Sequence, residues 1–213
     1  FGQVAKKSVM AWYRRLAQRR ENGASCAPVK VGASMIAAGR ATLRAFPAIS
    51  TTMPLVIHDY LLPYVPLLAE RKADAVEQVV IHCTELPDLA TAREYGKRIV
   101  HPSGTGNSGH YYIDRDGTVA RYVPGTRVAN HVRGHNATTL GIELVNLGRF
   151  PHWWDSRHQT MTEPYRATQI TALRALLAQL VAEFPHLASI AGHEDLDTEW
   201  VAASDDPARK VRR

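Results

Sequence analysis

The stretch Val79-Val80-Ile81-His82-Cys83-Thr84 decides the fold of this chain, because an apolar, β-prone run ends there in a histidine. Ile190-Ala191-Gly192-His193 repeats the pattern much later in the sequence. Between them, Leu140-Gly141-Ile142-Glu143-Leu144 is a third strand-like run, with a carboxylate among aliphatic residues. Short apolar runs of this kind are typical of strands buried inside a sheet. The sequence therefore predicts three core strands that carry polar groups.

These polar groups point to chemistry at the strand ends. Removing an isolated charge from water costs several kcal/mol in practice, so a polar side chain among aliphatic residues needs a compensating role. Metal binding is the hypothesis for His82 and His193, and general-base chemistry is the hypothesis for Glu143. Each residue also has a structural interpretation. The histidines can be hydrogen-bonded core residues, and the glutamate can face solvent from its strand.

Strand and helix signals alternate from about Met53 onward, which is the pattern of an α/β sheet covered by helices. The predicted strands cover residues 78–82, 110–114, 119–123, 140–146 and 189–192, and the predicted helices cover residues 89–98 and 166–184. The turn Asp114-Arg115-Asp116-Gly117 predicts a hairpin between the second and third strands, because Gly117 can adopt positive φ.

The positive charge of the chain is concentrated at its N-terminal end. Residues 1–50 contain nine Lys and Arg against one Glu, a net charge of +8, whereas the whole chain carries +6 and the remainder therefore −2. We expect a basic helical extension over residues 1–50, with helices near 4–20 and 33–46, followed by one domain over residues 51–213. A basic arm can bind nucleic acid, anionic lipid or an anionic wall polymer. A solvated helix face is favoured because no nucleic-acid motif accompanies the charge.

The sequence gives few indications of the cellular compartment. Two cysteines, Cys26 and Cys83, are too few for a disulfide framework in a chain of 213 residues. No apolar run approaches the roughly 18 residues that a membrane span needs. We expect a cytoplasmic protein. A periplasmic or exported protein is the alternative, because the sequence opens with Phe1 rather than Met.

Five segments, in this order, resemble the zinc-dependent N-acetylmuramoyl-L-alanine amidases, the family that also contains the peptidoglycan recognition proteins. No single segment is specific, but the five together are. They are the runs at residues 79–84, 108–118 (SGHYYIDRDGT), 129–136 (ANHVRGHN), 140–144 (LGIEL) and 192–195 (GHED).

The resemblance implies a fold, a reaction and a set of site residues. The fold is a central mixed β-sheet covered by helices, and the reaction is hydrolysis of the amide between N-acetylmuramic acid and L-alanine by a water that Zn²⁺ activates. His82 and His193 take the positions of the two zinc-binding histidines, and Glu143 that of the catalytic glutamate. His131 takes that of a histidine lining the substrate groove. Asn136, in the same loop, is a candidate for substrate contact or for loop hydrogen bonding.

The chain departs from the family pattern at two places. The family's third zinc ligand is usually an Asp in an Asp-Pro-Gly segment downstream of the second histidine, and this sequence has only Asp206-Pro207 there. We expect either Asp206 or an Asp beyond Arg213 to complete the site, with the domain ending short of its ligand segment. The activator tyrosine of the recognition proteins is replaced by Gly109, which places the chain with the glutamate-using bacterial enzymes.

Partners follow from the same resemblance. The expected partner is peptidoglycan or a muropeptide, without nucleic acid and without a membrane span, and the oligomeric state is left open. The alternative to an enzyme is a non-catalytic peptidoglycan-binding module, which would keep the groove and lose the zinc ligands.

Overall fold

A computed structural model describes residues 55–213 and the backbone of Ala41–Thr42. The predicted helix at 4–20 lies outside these residues. The predicted helix at 33–46 is wrong at Ala41–Thr42, which forms a strand paired antiparallel with Ser189 and Ile190. Backbone pairing with the edge of the sheet outweighs local helix propensity, which is high for Ala41 and low for Thr42.

The centre of the protein is a seven-stranded mixed sheet, ordered β1-β7-β3-β6-β4-β5-β2. Strands β7, β3, β6 and β4 are mutually parallel, β1 and β7 are antiparallel, β4 and β5 are antiparallel, and β2 is parallel to β5. The strands are β1 (Ala41–Thr42), β2 (Ile57–Asp59), β3 (Gln78–Cys83), β4 (Tyr111–Ile113), β5 (Val119–Arg121), β6 (Thr139–Leu144) and β7 (Ser189–Gly192). A separate antiparallel pair follows, formed by β8 (Trp200–Ala202) and β9 (Lys210–Arg212).

Within residues 55–213, three α-helices accompany the sheet: α1 (Leu89–Gly96), α2 (Ala167–Glu183) and α3 (His193–Leu196). Helix α1 begins after Asp88, whose carboxylate accepts a hydrogen bond from Thr91 N at 2.6 Å. Helix α2 begins after Arg166, whose backbone N–H donates to the side chain of Gln169. No helix of the described residues is long and apolar enough to cross a bilayer.

One face of the sheet packs against α2 and forms the larger hydrophobic core. Alternate residues of each strand point to this face. They pack on the buried stripe of α2, where Leu176, Leu177 and Leu180 are fully buried. The strand residues in this core are Val79, Ile81, Tyr111, Ile113, Val119, Leu140, Ile142, Leu144 and Ile190.

The described residues cover the opposite face only in part. A second core forms around Tyr112, Ala120 and Tyr122, with Ala92 of α1 buried against them. Leu62, Tyr64 and Val65, from the chain before β3, close this core. Among residues 55–213, none covers the rest of this face at the ends of the parallel strands, where the site described below lies.

The structure confirms the strands and helices predicted in the domain, with ends that differ by a few residues. The predicted hairpin is also present, and Gly117 has φ +95°. The pattern did not predict β2, β8, β9 or α3, because segments of three or four residues are too short to show a periodicity.

Candidate active site

Three neighbouring strands place polar side chains in one row across the open face. His82 of β3 lies opposite Glu143 of β6, and Glu143 lies opposite Tyr112 of β4. Residues in register on adjacent strands share a face. The flanking Ile81 and Ile142 therefore enter the core against α2, while His82 and Glu143 point to the open side.

His193 reaches the same place from the next strand. Gly192 ends β7 opposite Ile81, so the residue that follows it lies beside His82. The two imidazole centroids are 5.0 Å apart. Asp195 accepts a hydrogen bond from Gly192 N at 3.0 Å and fixes the first turn of α3. The structure thus brings together the two histidines that the sequence assigned to a metal.

His131 joins them from a loop and defines the proton positions in the cluster. Its Nδ1 lies 3.0 Å from His82 Nε2, and its Nε2 lies 3.2 Å from Thr139 Oγ1. Thr139 Oγ1 donates to His135 O at 2.8 Å and so accepts from His131 Nε2. His131 Nδ1 therefore accepts the proton of His82 Nε2. This assignment leaves the ring lone pair of His82 on Nδ1.

The ring of His131 rests on the backbone of β6. A Cβ on Gly141 would lie 2.7 Å from His131 Cγ, so only glycine fits beneath the ring. Burial lowers the pKa of His131 to about 3. The imidazole is therefore uncharged at neutral pH, which is the form that the hydrogen bonds above require.

Glu143 occupies a confined position next to His82. Its Oε1 lies 3.8 Å from His82 Nδ1, beyond hydrogen-bond length, and its side chain is 13% exposed. A Cβ on Gly109 would lie 2.9 Å from Glu143 Cγ, so this glycine makes room for the carboxylate. Burial, and then the charge of Glu143, raise the pKa of Tyr112 well above its usual value, which keeps the phenol protonated.

A groove of about 600 Å³ opens in front of this cluster. Its charged walls are partly neutralised, because Arg133 pairs with Glu199 at 2.5 Å and lies 3.8 Å from Asp197. The groove is large enough for a ligand of several sugar or amino-acid units. The residues lining it include Glu143, His131, His193, Asn136, Tyr112, Tyr95, Arg98, His101, Asn107, Asn130, Arg133 and Asp197.

Asn136 holds the loop that carries His131. Its Oδ1 accepts hydrogen bonds from the backbone N–H of His131 at 3.0 Å and of Val132 at 2.8 Å. This is the loop-bonding alternative left open by the sequence. Asn136 also lines the groove, so its contact with substrate stays a prediction.

Asp206 lies in the turn between β8 and β9. Its carboxylate accepts a hydrogen bond from Ala208 N at 3.1 Å and lies 3.4 Å from Arg209 Nε. It is not among the residues lining the groove. Over residues 55–213, no group of three His, Cys, Asp or Glu side chains is placed to hold a metal. Ligation by Asp206 therefore stays a prediction.

Two further residues of the site had no assigned role in the sequence. Tyr112 lies in register with Glu143, and alternation from His110 along the strand would have indicated its face. His110 is completely buried beside His131, with ring centroids 5.4 Å apart. Its Nδ1 accepts from Gly141 N at 3.0 Å, and its Nε2 donates to Arg127 O at 3.0 Å.

Comparison with protein families decides what this site belongs to. The profile of the family described as N-acetylmuramoyl-L-alanine amidase (Amidase_2) matches residues 72–209, more than half of the chain. The chain belongs to the N-acetylmuramoyl-L-alanine amidase family. The amidase hydrolyses the amide bond between N-acetylmuramic acid and L-alanine in peptidoglycan. Members of this family are generally zinc enzymes. A comparison with curated proteins found no significant match.

Solved structures share the fold of the amidase. The endolysin of Thermus scotoductus bacteriophage Ph2119 is 21% identical, with a TM-score of 0.51, covering 68% of this chain and 89% of that one. The ectodomain complex of peptidoglycan recognition proteins LCa and LCx, bound to tracheal cytotoxin, is 17% identical, with a TM-score of 0.50, covering 68% of this chain and 88% of that one. The amidase AmiD from E. coli, solved with the substrate anhydro-N-acetylmuramic acid-L-Ala-D-gamma-Glu-L-Lys, is 23% identical, with a TM-score of 0.47, covering 60% of this chain and 52% of that one.

Proposed function

We propose that the amidase binds one Zn²⁺ through His82 and His193, and that Glu143 transfers the proton during hydrolysis. The observation that carries the proposal is the convergence of two imidazoles and one carboxylate at the ends of parallel strands. The two imidazoles fit zinc, which binds neutral histidine nitrogens and commonly takes a carboxylate oxygen as a further ligand. The third protein ligand stays a prediction, with Asp206 as its candidate within the chain.

The tautomers of the cluster support this assignment. His131 accepts the Nε2 proton of His82, so the lone pair that a metal requires is on His82 Nδ1, the nitrogen nearer to Glu143. A histidine that binds a metal commonly donates its other ring N–H to a fixed acceptor, which sets the orientation of the ring. His131 has this position relative to His82.

The reaction requires a nucleophilic water and a protonated leaving amine. Bound zinc would polarise the lactyl carbonyl and lower the pKa of a nearby water toward about 7. Glu143 accepts the proton of that water as oxygen attacks the carbonyl carbon. When the carbon–nitrogen bond breaks, the same carboxyl group returns the proton to the departing amine of L-alanine. The products are the lactyl carboxylate and a peptide with a free amino group.

We propose a muropeptide or a peptidoglycan strand as the ligand of the groove. The support is the size of the groove and its mixture of polar, cationic and aromatic walls, which suits a sugar joined to a short peptide. Trp153 is not part of these walls. It donates from Nε1 to Glu85 O at 2.9 Å and packs against Phe150 and Tyr95, so it fastens its own loop.

Zinc content and product release test the proposal together. We expect purified wild-type protein to contain stoichiometric zinc by elemental analysis and to release peptide with a free L-alanine amine from a muropeptide, as detected by mass spectrometry. His82→Ala and His193→Ala should lose both properties while keeping the wild-type circular dichroism spectrum. His186→Ala is the matched control, since this exposed histidine bonds Asp74 O through Nδ1, is not among the residues lining the groove, and should retain zinc and activity.

Other outcomes would change the site. Full zinc content in both His82→Ala and His193→Ala would show that other groups bind the metal. Loss of zinc in Asp206→Ala would identify the third ligand, and unchanged zinc in that variant would exclude Asp206.

A further inference from the structure

A partly buried arginine outside the proposed zinc site is bound to the loops that build it. Arg71 lies between two 3₁₀ turns, Val65–Leu67 and Ala73–Ala75. Its Nε donates to Gly125 O at 2.8 Å. Its Nη1 lies within hydrogen-bond distance of three carbonyl oxygens, those of Asn136 at 3.0 Å, Ala137 at 3.1 Å and Thr139 at 2.8 Å.

The partners of Arg71 are unusual for a partly buried cation. Within residues 55–213 no carboxylate forms an ion pair with it, whereas Arg115 pairs with Glu163 and Arg149 pairs with Glu85. Burial lowers the pKa of Arg71 to about 10, so the guanidinium is charged at neutral pH. A desolvated charge held only by carbonyl dipoles is costly. The position of Arg71 therefore calls for an explanation other than ordinary ion pairing.

The carbonyls that Arg71 binds belong to the turn that orients His131. Asn136 of this turn accepts the backbone N–H of His131, and Thr139 at its end accepts the Nε2 proton of the His131 ring. Arg71 Nη1 thus binds the backbone of both residues, Asn136 and Thr139, that hydrogen-bond to His131. Because His131 accepts from His82 Nε2, a shift of the turn reaches His82 through two hydrogen bonds.

Arg71 also approaches His110, the buried histidine that packs against the ring of His131. Arg71 Nη2 lies 2.9 Å from His110 Nε2. Since His110 Nε2 carries the proton that it donates to Arg127 O, both nitrogens of this approach are donors, and it is not a hydrogen bond that could hold the ring. His110 in turn packs edge-on against His131. Arg71 therefore holds the turn by hydrogen bonds and only borders the buried imidazole.

We propose that Arg71 is a positioning residue, which fixes the 136–139 turn and thereby holds His131 Nδ1 against His82 Nε2. If His82 binds zinc, Arg71 also helps to orient this ligand, and that part of the proposal rests on the proposed function. The tautomer of His131 is a property of the metal-free protein and does not depend on the proposed metal.

Arg71→Lys tests the proposal, because lysine retains the charge but cannot bind four carbonyls as a planar fork. Arg115→Lys is the control, since it disrupts the bidentate pair of another partly buried arginine, one whose bonds go to Glu163 and not to the histidine cluster. We expect Arg71→Lys to lower kcat by about 10- to 100-fold with little change in KM, the size that a misplaced catalytic geometry produces. Arg115→Lys should keep the wild-type kcat, even if its Tm falls by as much as the Tm of Arg71→Lys.

A second measurement separates positioning from general loss of structure. Long-range ¹⁵N–¹H spectra of the metal-free protein should show His131 protonated on Nε2 in wild type and in Arg115→Lys, and averaged between tautomers in Arg71→Lys. Thr139→Val should reproduce the Arg71→Lys spectrum and its lower kcat, and it serves if Arg71→Lys does not fold. Wild-type kcat and an unchanged His131 tautomer in Arg71→Lys, or in Thr139→Val, would overturn the proposal. A wild-type protein without zinc would instead contradict the proposed metal and leave the tautomer result valid.

Discussion

The two faces of the central sheet are made by the same strands and obey different rules. Toward α2, strands β3 and β6 present aliphatic residues such as Ile81 and Ile142, which join one continuous apolar core. Toward the groove, the neighbouring positions on the same strands carry His82, Gly141 and Glu143. The apolar face needs volume and hydrophobicity. The groove face needs particular atoms at particular distances, so glycine is as constrained there as histidine.

This difference predicts that substitutions on the two faces separate activity from stability. A residue on the groove face affects the reaction because it holds a proton or fixes a ring. A residue on the α2 face affects the free energy of unfolding because it fills space. Variants in which both quantities change together would show that the faces are energetically coupled.

Glu143→Gln should give the largest effect on the groove face. The amide keeps the size of the side chain but cannot accept the proton, so we expect kcat to fall by about 10²- to 10⁴-fold with Tm nearly unchanged. Glu163→Gln is the control, because this carboxylate pairs with Arg115 away from the groove and should affect Tm without lowering kcat. Steady-state hydrolysis and a thermal melt suffice. Near wild-type turnover in Glu143→Gln would remove Glu143 from the reaction.

Leu176→Ala is the corresponding change on the α2 face. Leu176 is fully buried in the larger core, and truncation there should lower the free energy of unfolding by about 2–5 kcal/mol. Well below the lowered Tm, kcat should equal that of wild type. Gln179→Ala, at an exposed position of the same helix, should change stability by no more than about 0.5 kcal/mol. Urea unfolding of the three proteins tests this, and a tenfold loss of kcat in Leu176→Ala would show coupling between the faces.

The sequence predicted the α2 face well, because the patterns that define it are local. Alternation in the strands and the 3.6-residue repeat of Leu173, Leu177 and Leu180 are visible without knowledge of partners. Its prediction of the groove face was less complete. His82, His193 and Glu143 stood out as polar groups in apolar runs, and the structure brings them together.

What the sequence could not predict depends on register and on contacts between distant segments. Arg71 lies in a polar stretch with no periodicity, and its significance appears only when the 136–139 turn folds over it. Strand β1 was assigned to a helix because its pairing with β7 involves residues far apart in the chain. Gly141 looked like an ordinary strand glycine. Its role is evident only from the imidazole that lies above it.

Gly141→Ala should give the smallest effect of the three and is the most direct test of the geometric rule. The new methyl group would lie 2.7 Å from His131 Cγ and 2.8 Å from Nδ1, so the ring must move away from its contact with His82. Because Cγ stays in place when the ring turns about the Cβ–Cγ bond, only a change of χ1 or of the backbone can relieve this overlap. We expect kcat to fall at least tenfold, equivalent to about 1.4 kcal/mol, with a loss of only a few degrees in Tm.

A double-variant cycle with His131→Ala shows whether the methyl group acts through the ring. If it does, adding Gly141→Ala to His131→Ala should lower kcat by less than about twofold, because the group that it displaces is already absent. Independent, multiplying losses would mean that the methyl group disturbs β6 itself, and hence Glu143 two residues along the strand. A kcat within twofold of wild type in Gly141→Ala alone would contradict the rule that the groove face needs particular atoms at particular distances. The reaction would then tolerate a displaced His131 imidazole.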